Sequence, residues 1–273
     1  MPAVITFEFD PLIYFGDVSV RIQTLAIVAV LFVALMLLAR VAQRTPVASP
    51  YVPPPRLRAG ELPFLVLGMV PGAVLGGRVD YVLNHVDYYI AHPSAILDPT
   101  QGGLGLGLAV PGAILGAMFI ADLMDAQIDR WMHAATLPTL VALGLGKLTG
   151  ALAAEGQGSP SDLPWATAYV GDGPWSSLAA HLPSHPAQIY ESVITLIVLL
   201  VMTVALRRQA FSKRDGSALL VALALWGSGR AIVAFTWRDS AVLGPFRAEQ
   251  LILALLIAGC VAIVWRLRTR QAP

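Results

Sequence analysis

Residues 63–81 read P-F-L-V-L-G-M-V-P-G-A-V-L-G-G-R-V-D-Y. The run from Pro63 to Gly77 carries no charge, and then Arg78 and Asp80 follow within three residues. Whether those two charges are costly depends on what surrounds the run. The chain has 273 residues, of which 56% are hydrophobic and only 13% charged. A soluble domain averages roughly 25% charged residues. The mean hydropathy is +0.69. This composition predicts an all-α polytopic membrane protein, and the run ending at Arg78 is one of its spans.

Seven spans are expected, at about 20–41, 62–83, 104–123, 134–154, 189–206, 218–236 and 250–265. Prolines and glycines within them, such as Pro71, Gly72 and Pro111, are tolerated where neighbours re-satisfy the backbone. The basic residues fall in three groups: Arg40, Arg44, Arg56 and Arg58 after span one; Arg207, Arg208, Lys213 and Arg214 after span five; Arg266, Arg268 and Arg270 after span seven. The segments 84–103 and 155–188 contain no lysine or arginine. The positive-inside rule then predicts an outside N-terminus and an inside C-terminus. Asp122, Asp125, Asp129 and Arg130 after span three fit this less well, but acidic residues weigh little in the rule.

The N-terminus M-P-A-V-I-T-F-E-F-D-P has no basic n-region, so the first apolar stretch is expected to be a retained span. Residues 1–273 read as a single membrane domain. Within it, 155–188, with Trp165, Tyr169 and Trp175, is expected to form a small extracytoplasmic arm or cap. Residues 45–60, rich in proline, read as a stiff linker. The one cysteine, Cys260, lies in an apolar run and reads as a core residue. A net charge of +1 without a basic stripe argues against a nucleic-acid partner. No histidine pair has metal-ligand spacing, so no metal or other cofactor is expected.

Charge within a span costs roughly 2.5–3.5 kcal/mol on insertion scales at mid-span. Four places therefore ask for a reason: Arg78 and Asp80 in span two; Lys147 in L-G-L-G-K-L-T-G, with Glu155 eight residues on; His185, Gln188, Tyr190 and Glu191 in H-P-A-Q-I-Y-E; and Arg230 in W-G-S-G-R-A-I-V. Spans two, four and six run in the same direction, and their cations all fall past the midpoint. Arg78, Lys147 and Arg230 are therefore expected at similar depth, facing an anion. A phospholipid phosphate suits them, since the guanidinium fork meets phosphate bidentately. The plainer reading is that each cation snorkels to the headgroup layer or pairs with an internal carboxylate. Asp80 and Glu155 read as counter-ions, and His185-Pro186 as a helix start.

These strings resemble those of the prolipoprotein diacylglyceryl transferase family. F-D-P-L-I-Y-F-G, L-G-G-R-V-D-Y-V-L, Q-G-G-L-G, H-P-A-Q-I-Y-E, G-S-G-R-A-I-V and A-E-Q-L-I-L follow the family's segments in order, over about residues 7–265. The fourth-span signature is similar in spacing, with Glu155 and Gly158 in place. Lys147 stands where the family has arginine, and Gly150 and Ala153 where it has asparagines. The family's third-span histidine falls at Gly107, its first-span tyrosine near Gln23, and its glutamate after the span-six arginine at Ala234. A further arginine falls at Trp237 or, with a one-residue slip, Arg238.

The resemblance implies a multi-pass protein of the bacterial cytoplasmic membrane, acting in lipoprotein biosynthesis. It implies transfer of diacylglycerol from phosphatidylglycerol to the cysteine thiol of a preprolipoprotein lipobox. Arg230, Arg78, Glu155 and His185 would be catalytic; Lys147, Asp80, Gln188, Tyr190 and Gly158 would bind substrate. With Gly107 at the histidine position, His185, Glu155 or Asp80 would have to take the thiol proton. The alternative is a lipid-binding paralogue or scaffold of the same fold that has lost transfer through the substitutions at Lys147, Gly107 and Gly150.

Overall fold

The computed structural model describes residues 4–44, 59–98, 100–171 and 173–269. Seven helices among them are long and apolar enough to cross a membrane. They are α1 (Ile22–Arg44), α2 (Leu62–Asn84), α4 (Leu106–Leu123), α5 (Ile128–Thr149), α6 (Ala187–Arg207), α7 (Ser217–Val233) and α8 (Ala248–Thr269); a short helix, α3 (Val86–Ala91), follows α2. Except in α7, most residues of these helices are not buried by protein. Phe32, Leu67, Leu75, Leu115, Leu200 and Leu255 all stand exposed on helix surfaces. Such faces are stable only against hydrocarbon, and helices satisfy their own backbone polar groups there. The proline-rich linker expected at 45–60 lies, apart from its last two residues, outside the described residues.

The chain divides into two compact units, each assembled from separate stretches of sequence: one from Met1–Leu38, Thr136–Ala210 and Ser228–Ser240, the other from Ala39–Ala135, Phe211–Gly227 and Ala241–Pro273.

In the second unit α2 packs along α4, and α8 packs on both. The spacing of glycines explains the closeness. Gly68, Gly72 and Gly76 on α2 face Gly116, Gly112 and Leu108 on α4, and a Cβ on any of these glycines would strike a carbonyl of the facing helix. Without a hydrophobic drive between helices in lipid, small residues at four-residue spacing let backbones approach and gain dispersion contacts.

The first unit carries four short strands. β1 (Ile5–Glu8) pairs in parallel with β4 (Thr167–Val170), with Ile5 opposite Thr167 and Glu8 opposite Val170. β2 (Leu12–Phe15) and β3 (Val18–Arg21) form an antiparallel hairpin. Its turn is Gly16-Asp17, and Gly16, at φ +62°, supplies the positive φ that a tight two-residue turn demands at its first position. The lobe expected from 155–188 alone thus includes the N-terminal strands. Tyr169 is its centre, buried with Ala154 and Ala180, stacked on Phe7 at 5.0 Å and tilted against Trp175 at 5.2 Å. Gln157 pins the lobe from below: its side-chain amide donates to the carbonyls of Thr167, Ala180 and Leu182.

Candidate active site

The first unit gathers a polar cluster at the ends of α5, α6 and α7. Lys147 stands in the last turn of α5. The helix gives way to a 3-10 turn at Gly150–Leu152, and the chain then reverses through Ala154 and Gly156, both at positive φ. Gly150 has a local reason. A Cβ there would lie 2.7 Å from the Glu155 carbonyl oxygen, and the Glu155 amide bonds back to Gly150. This turn, closed on itself, leaves no room for the side chain that the resemblance places at 150.

Glu191, in the first turns of α6, lies between the two cations. Its Oε1 is 3.3 Å from Lys147 Nζ, and its Oε2 accepts from Arg230 Nη1 on α7. Arg230 and Glu191 are almost wholly buried, whereas the Lys147 side chain is 22% exposed, so the lysine marks the open side. The Arg230 guanidinium also lies 4.6 Å over the Trp237 ring, a cation–π contact that holds it without neutralising it. The expectation that Lys147 and Arg230 require an outside anion is corrected to this extent: a carboxylate of the protein already sits between them, leaving one net positive charge on the trio. Lys147 Nζ also lies 3.6 Å from where a Gly156 Cβ would stand.

The other predicted residues of this unit sort into two groups. Some face the cluster. Gln188 is fully buried; its amide nitrogen donates to Tyr169 Oη at 3.1 Å, while its Oε1 has no hydrogen-bond partner among the described residues. Burial pushes the Tyr169 phenol up to about 12, the Gln188 bond pulling slightly the other way. Glu155 is exposed and accepts from Gln23, the residue near which the family's tyrosine falls. The rest brace the lobe. Tyr190 accepts from Trp165 Nε1 at 2.7 Å. Gly158 is packed so that a Cβ would strike the Thr236 carbonyl and sit 2.9 Å from the His185 Cβ. His185 keeps a buried Nδ1 without a hydrogen-bond partner among the described residues. Arg238 donates to Gly158 O, Ser177 Oγ, Gln157 Oε1, Ala179 O and Ser184 Oγ, and so ties 157–184 to the end of α7. The two alignments of the family's further arginine thus meet two roles: Trp237 stacks on Arg230 and Arg238 clamps the lobe.

Arg78 and Asp80 belong to the second unit. Arg78 donates to main-chain carbonyls: Nε to Ile96 at 2.7 Å, Nη1 to Gln101 at 2.7 Å, Nη2 to Ala95 at 2.5 Å and to Asp98 at 3.0 Å. Its guanidinium lies 5.3 Å over Tyr89. Arg78 therefore shapes the loop 95–103. Asp80, two residues on along the helix, points to a different face. Asp80 is fully buried and accepts from Asn84, which also reaches Glu249 Oε2 at 3.3 Å. Glu249, buried on α8, explains Gly107: a Cβ at 107 would lie 2.8 Å from Glu249 Oε1 and 3.2 Å from Asp80 Oδ2. The space a larger residue at 107 would use holds the Glu249 carboxylate.

Three residues of these clusters were given no role from sequence. Glu191 was visible as the last letter of H-P-A-Q-I-Y-E but had no stated partner. Trp237 and Glu249 carried no signal beyond their departure from the family strings.

Seven apolar helices among the described residues, with a buried cation–carboxylate cluster where the ends of three of them meet, define a multi-pass membrane protein. Its family follows from comparison with known proteins. The chain belongs to the prolipoprotein diacylglyceryl transferase family, whose model matches residues 11–266. Among its relatives, a protein of Ruegeria pomeroyi is 31% identical over 250 residues, covering 86% of this chain and 82% of the relative. One of Trichormus variabilis is 29% identical over 268 residues, 96% of this chain and 90% of the relative. One of Desulfotalea psychrophila is 28% identical over 212 residues, 72% and 74% of the two chains. All three are named phosphatidylglycerol–prolipoprotein diacylglyceryl transferase.

Proposed function

We propose that this protein transfers the diacylglyceryl group of phosphatidylglycerol to the cysteine thiol of a prolipoprotein, in a bacterial cytoplasmic membrane with its N-terminus outside. The observation that carries the reading is the trio Lys147–Glu191–Arg230, in a chain that matches the family over residues 11–266. In this reaction the thiolate sulfur forms a bond to the lipid's terminal glycerol carbon. The bond from that carbon to the phosphate oxygen breaks, and glycerol phosphate leaves with the electron pair. The thiol proton passes to a base. Thiolate, not thiol, is the nucleophile.

Arg230 and Lys147 are suited to the phosphate. A buried, pre-oriented guanidinium stabilises the charge that grows on the leaving oxygen without reorganising during the step. Lys147 contributes a mobile point charge on the open side, where arginine would contribute a fork. Their joint field also favours ionisation of a thiol brought beside them. Glu155, exposed and held by Gln23, and His185, with its unbonded ring nitrogen, are the groups of this unit that could take the proton.

The test is turnover. The purified protein, given phosphatidylglycerol and a lipobox peptide, should yield the diacylglyceryl thioether and glycerol phosphate by mass spectrometry, and the yield should vanish in Arg230→Ala. Absence of product beside an active family enzyme under the same conditions would replace transfer by lipid binding alone.

A further inference from the structure

Glu191 has no part in the transfer as written, yet it is the most central charge in the trio. It is 3% exposed, it touches both cations, and its main-chain carbonyl accepts from Thr195 Oγ1 at 2.7 Å, so the turn that carries it is fixed. A carboxylate between two phosphate-binding cations weakens their hold on phosphate. Its placement makes sense if the amount of charge matters.

The two phosphates of the proposed reaction differ in charge. The donor lipid is a phosphodiester with one negative charge. The leaving glycerol phosphate is a phosphomonoester, which carries about −1.5 to −2 at pH 7 because its second pKa is near 6. A pair of cations alone, at +2, would match the product. The trio, at +1, matches the substrate. Glu155, on the turn that follows α5, accepts from Gln23 and is exposed, so it is screened by solvent and adds less.

We infer that Glu191 is a specificity-determining residue: by holding the Lys147–Arg230 pair at one net positive charge, it selects lipid phosphodiesters over phosphomonoesters and speeds release of the monoester product. This rests on the proposed transfer, since it assigns the two phosphates to that reaction. Glu191 acts through the two cations and is not itself a reacting group.

Two lipids separate charge from shape. Phosphatidate is a monoester; phosphatidylmethanol is a diester with the charge of phosphatidylglycerol and no second glycerol. Both are titrated as competitors of phosphatidylglycerol transfer, and as ligands in phosphatidylcholine nanodiscs. The wild-type protein should prefer phosphatidylmethanol by about tenfold or more, a modest share of what one unit charge contributes near a low-dielectric site. Glu191→Gln keeps the shape and should collapse or invert that ratio. It should also lower the inhibition constant of glycerol phosphate by about tenfold, with a smaller change in KM for phosphatidylglycerol. Glu191→Asp should keep the wild-type ratio. A role confined to holding the fold would move all ligands together and leave the ratio alone.

A wild-type protein that takes phosphatidate as readily as phosphatidylmethanol would overturn the inference, and that measurement does not depend on any variant folding. So would an unchanged ratio in a folded Glu191→Gln. If the nanodisc ratios come out as expected but no thioether forms, the transfer reading fails and the charge selection stands.

Discussion

Arg230 and Arg78 are both arginines near the ends of apolar helices, and the protein treats them in opposite ways. Arg230 meets a carboxylate and an aromatic face, both side chains, with its charge partly balanced. Arg78 also lies over an aromatic ring, Tyr89, but its hydrogen bonds go to main-chain carbonyls of the loop 95–103, which orient it and carry no formal charge. A carboxylate sets the net charge around Arg230, so that arrangement fixes how much positive charge the cluster presents. A cage of carbonyls changes no net charge; instead, every bond to Arg78 also fixes a peptide unit of the loop. The same residue type thus sits in a cluster of charged side chains in one unit and at the centre of a loop's hydrogen bonds in the other.

Arg230→Ala should break the first half of this contrast most severely. Transfer should fall by roughly 10²–10³ or more, as when a pre-oriented charge stabiliser is removed. Glu191 would be left buried with Lys147 alone, at a stability loss of roughly 3–5 kcal/mol. Thioether yield and thermal unfolding in detergent check the two effects separately, and Arg230→Lys should recover stability more than turnover, since it restores charge without the fork.

Arg78→Ala should act next, and locally. Losing several charge-assisted bonds, each typically about 1.5–3 kcal/mol, should raise hydrogen exchange across 95–103 while residues around Glu191 keep their protection. Equal loosening of both regions would erase the distinction between the arginines.

Gly107→Ala tests how tightly the second unit is filled. Its Cβ would meet Glu249 Oε1 at 2.8 Å, and crowding of this kind typically costs about 1–3 kcal/mol. The melting temperature should fall, and Glu249→Ala in the same chain should recover part of the drop.

The smallest effect concerns Asp98, in the loop that Arg78 holds. The Thr100 hydroxyl and amide, then Gln101 and Arg78, keep its carboxyl below the ordinary aspartate range despite some opposing desolvation. Its folded value is depressed, so its contribution is fully present above the unfolded pKa and is lost as pH falls from there through the lower folded value. Loop protection should therefore be full from neutral pH down to the usual aspartate range, decline as pH falls from there towards the lower folded value, and have lost this contribution below it. Asp98→Asn should remove that acid step.

The spans were legible because composition and periodic breaks in hydropathy are local. Six of the seven begin within two residues of their expected starts. The exception is α5, which begins at Ile128 rather than 134. Asp129 and Arg130 read as loop charges, but Arg130 is buried and bonded to Gln127 at 2.5 Å, so the charges lie inside the helix. The strands were not legible: each has four residues, and β1 finds its partner in β4 across the whole first half of the chain. Lys147 and Arg230 were found from the cost of charge in a span, a property of one residue. Glu191 was not assigned, because which carboxylate answers a cation depends on which helix faces turn together.

The pairing of β1 with β4 also bears on how the protein is made. Ile5 leaves the ribosome 162 residues ahead of its partner Thr167, which is still unsynthesised when α1 is complete. At typical translation rates of about 5–20 residues per second, the first strand waits on the order of ten seconds or more for its mate. The lobe can therefore close only after α1, α2, α4 and α5 have all been made, so its assembly follows that of four long apolar helices.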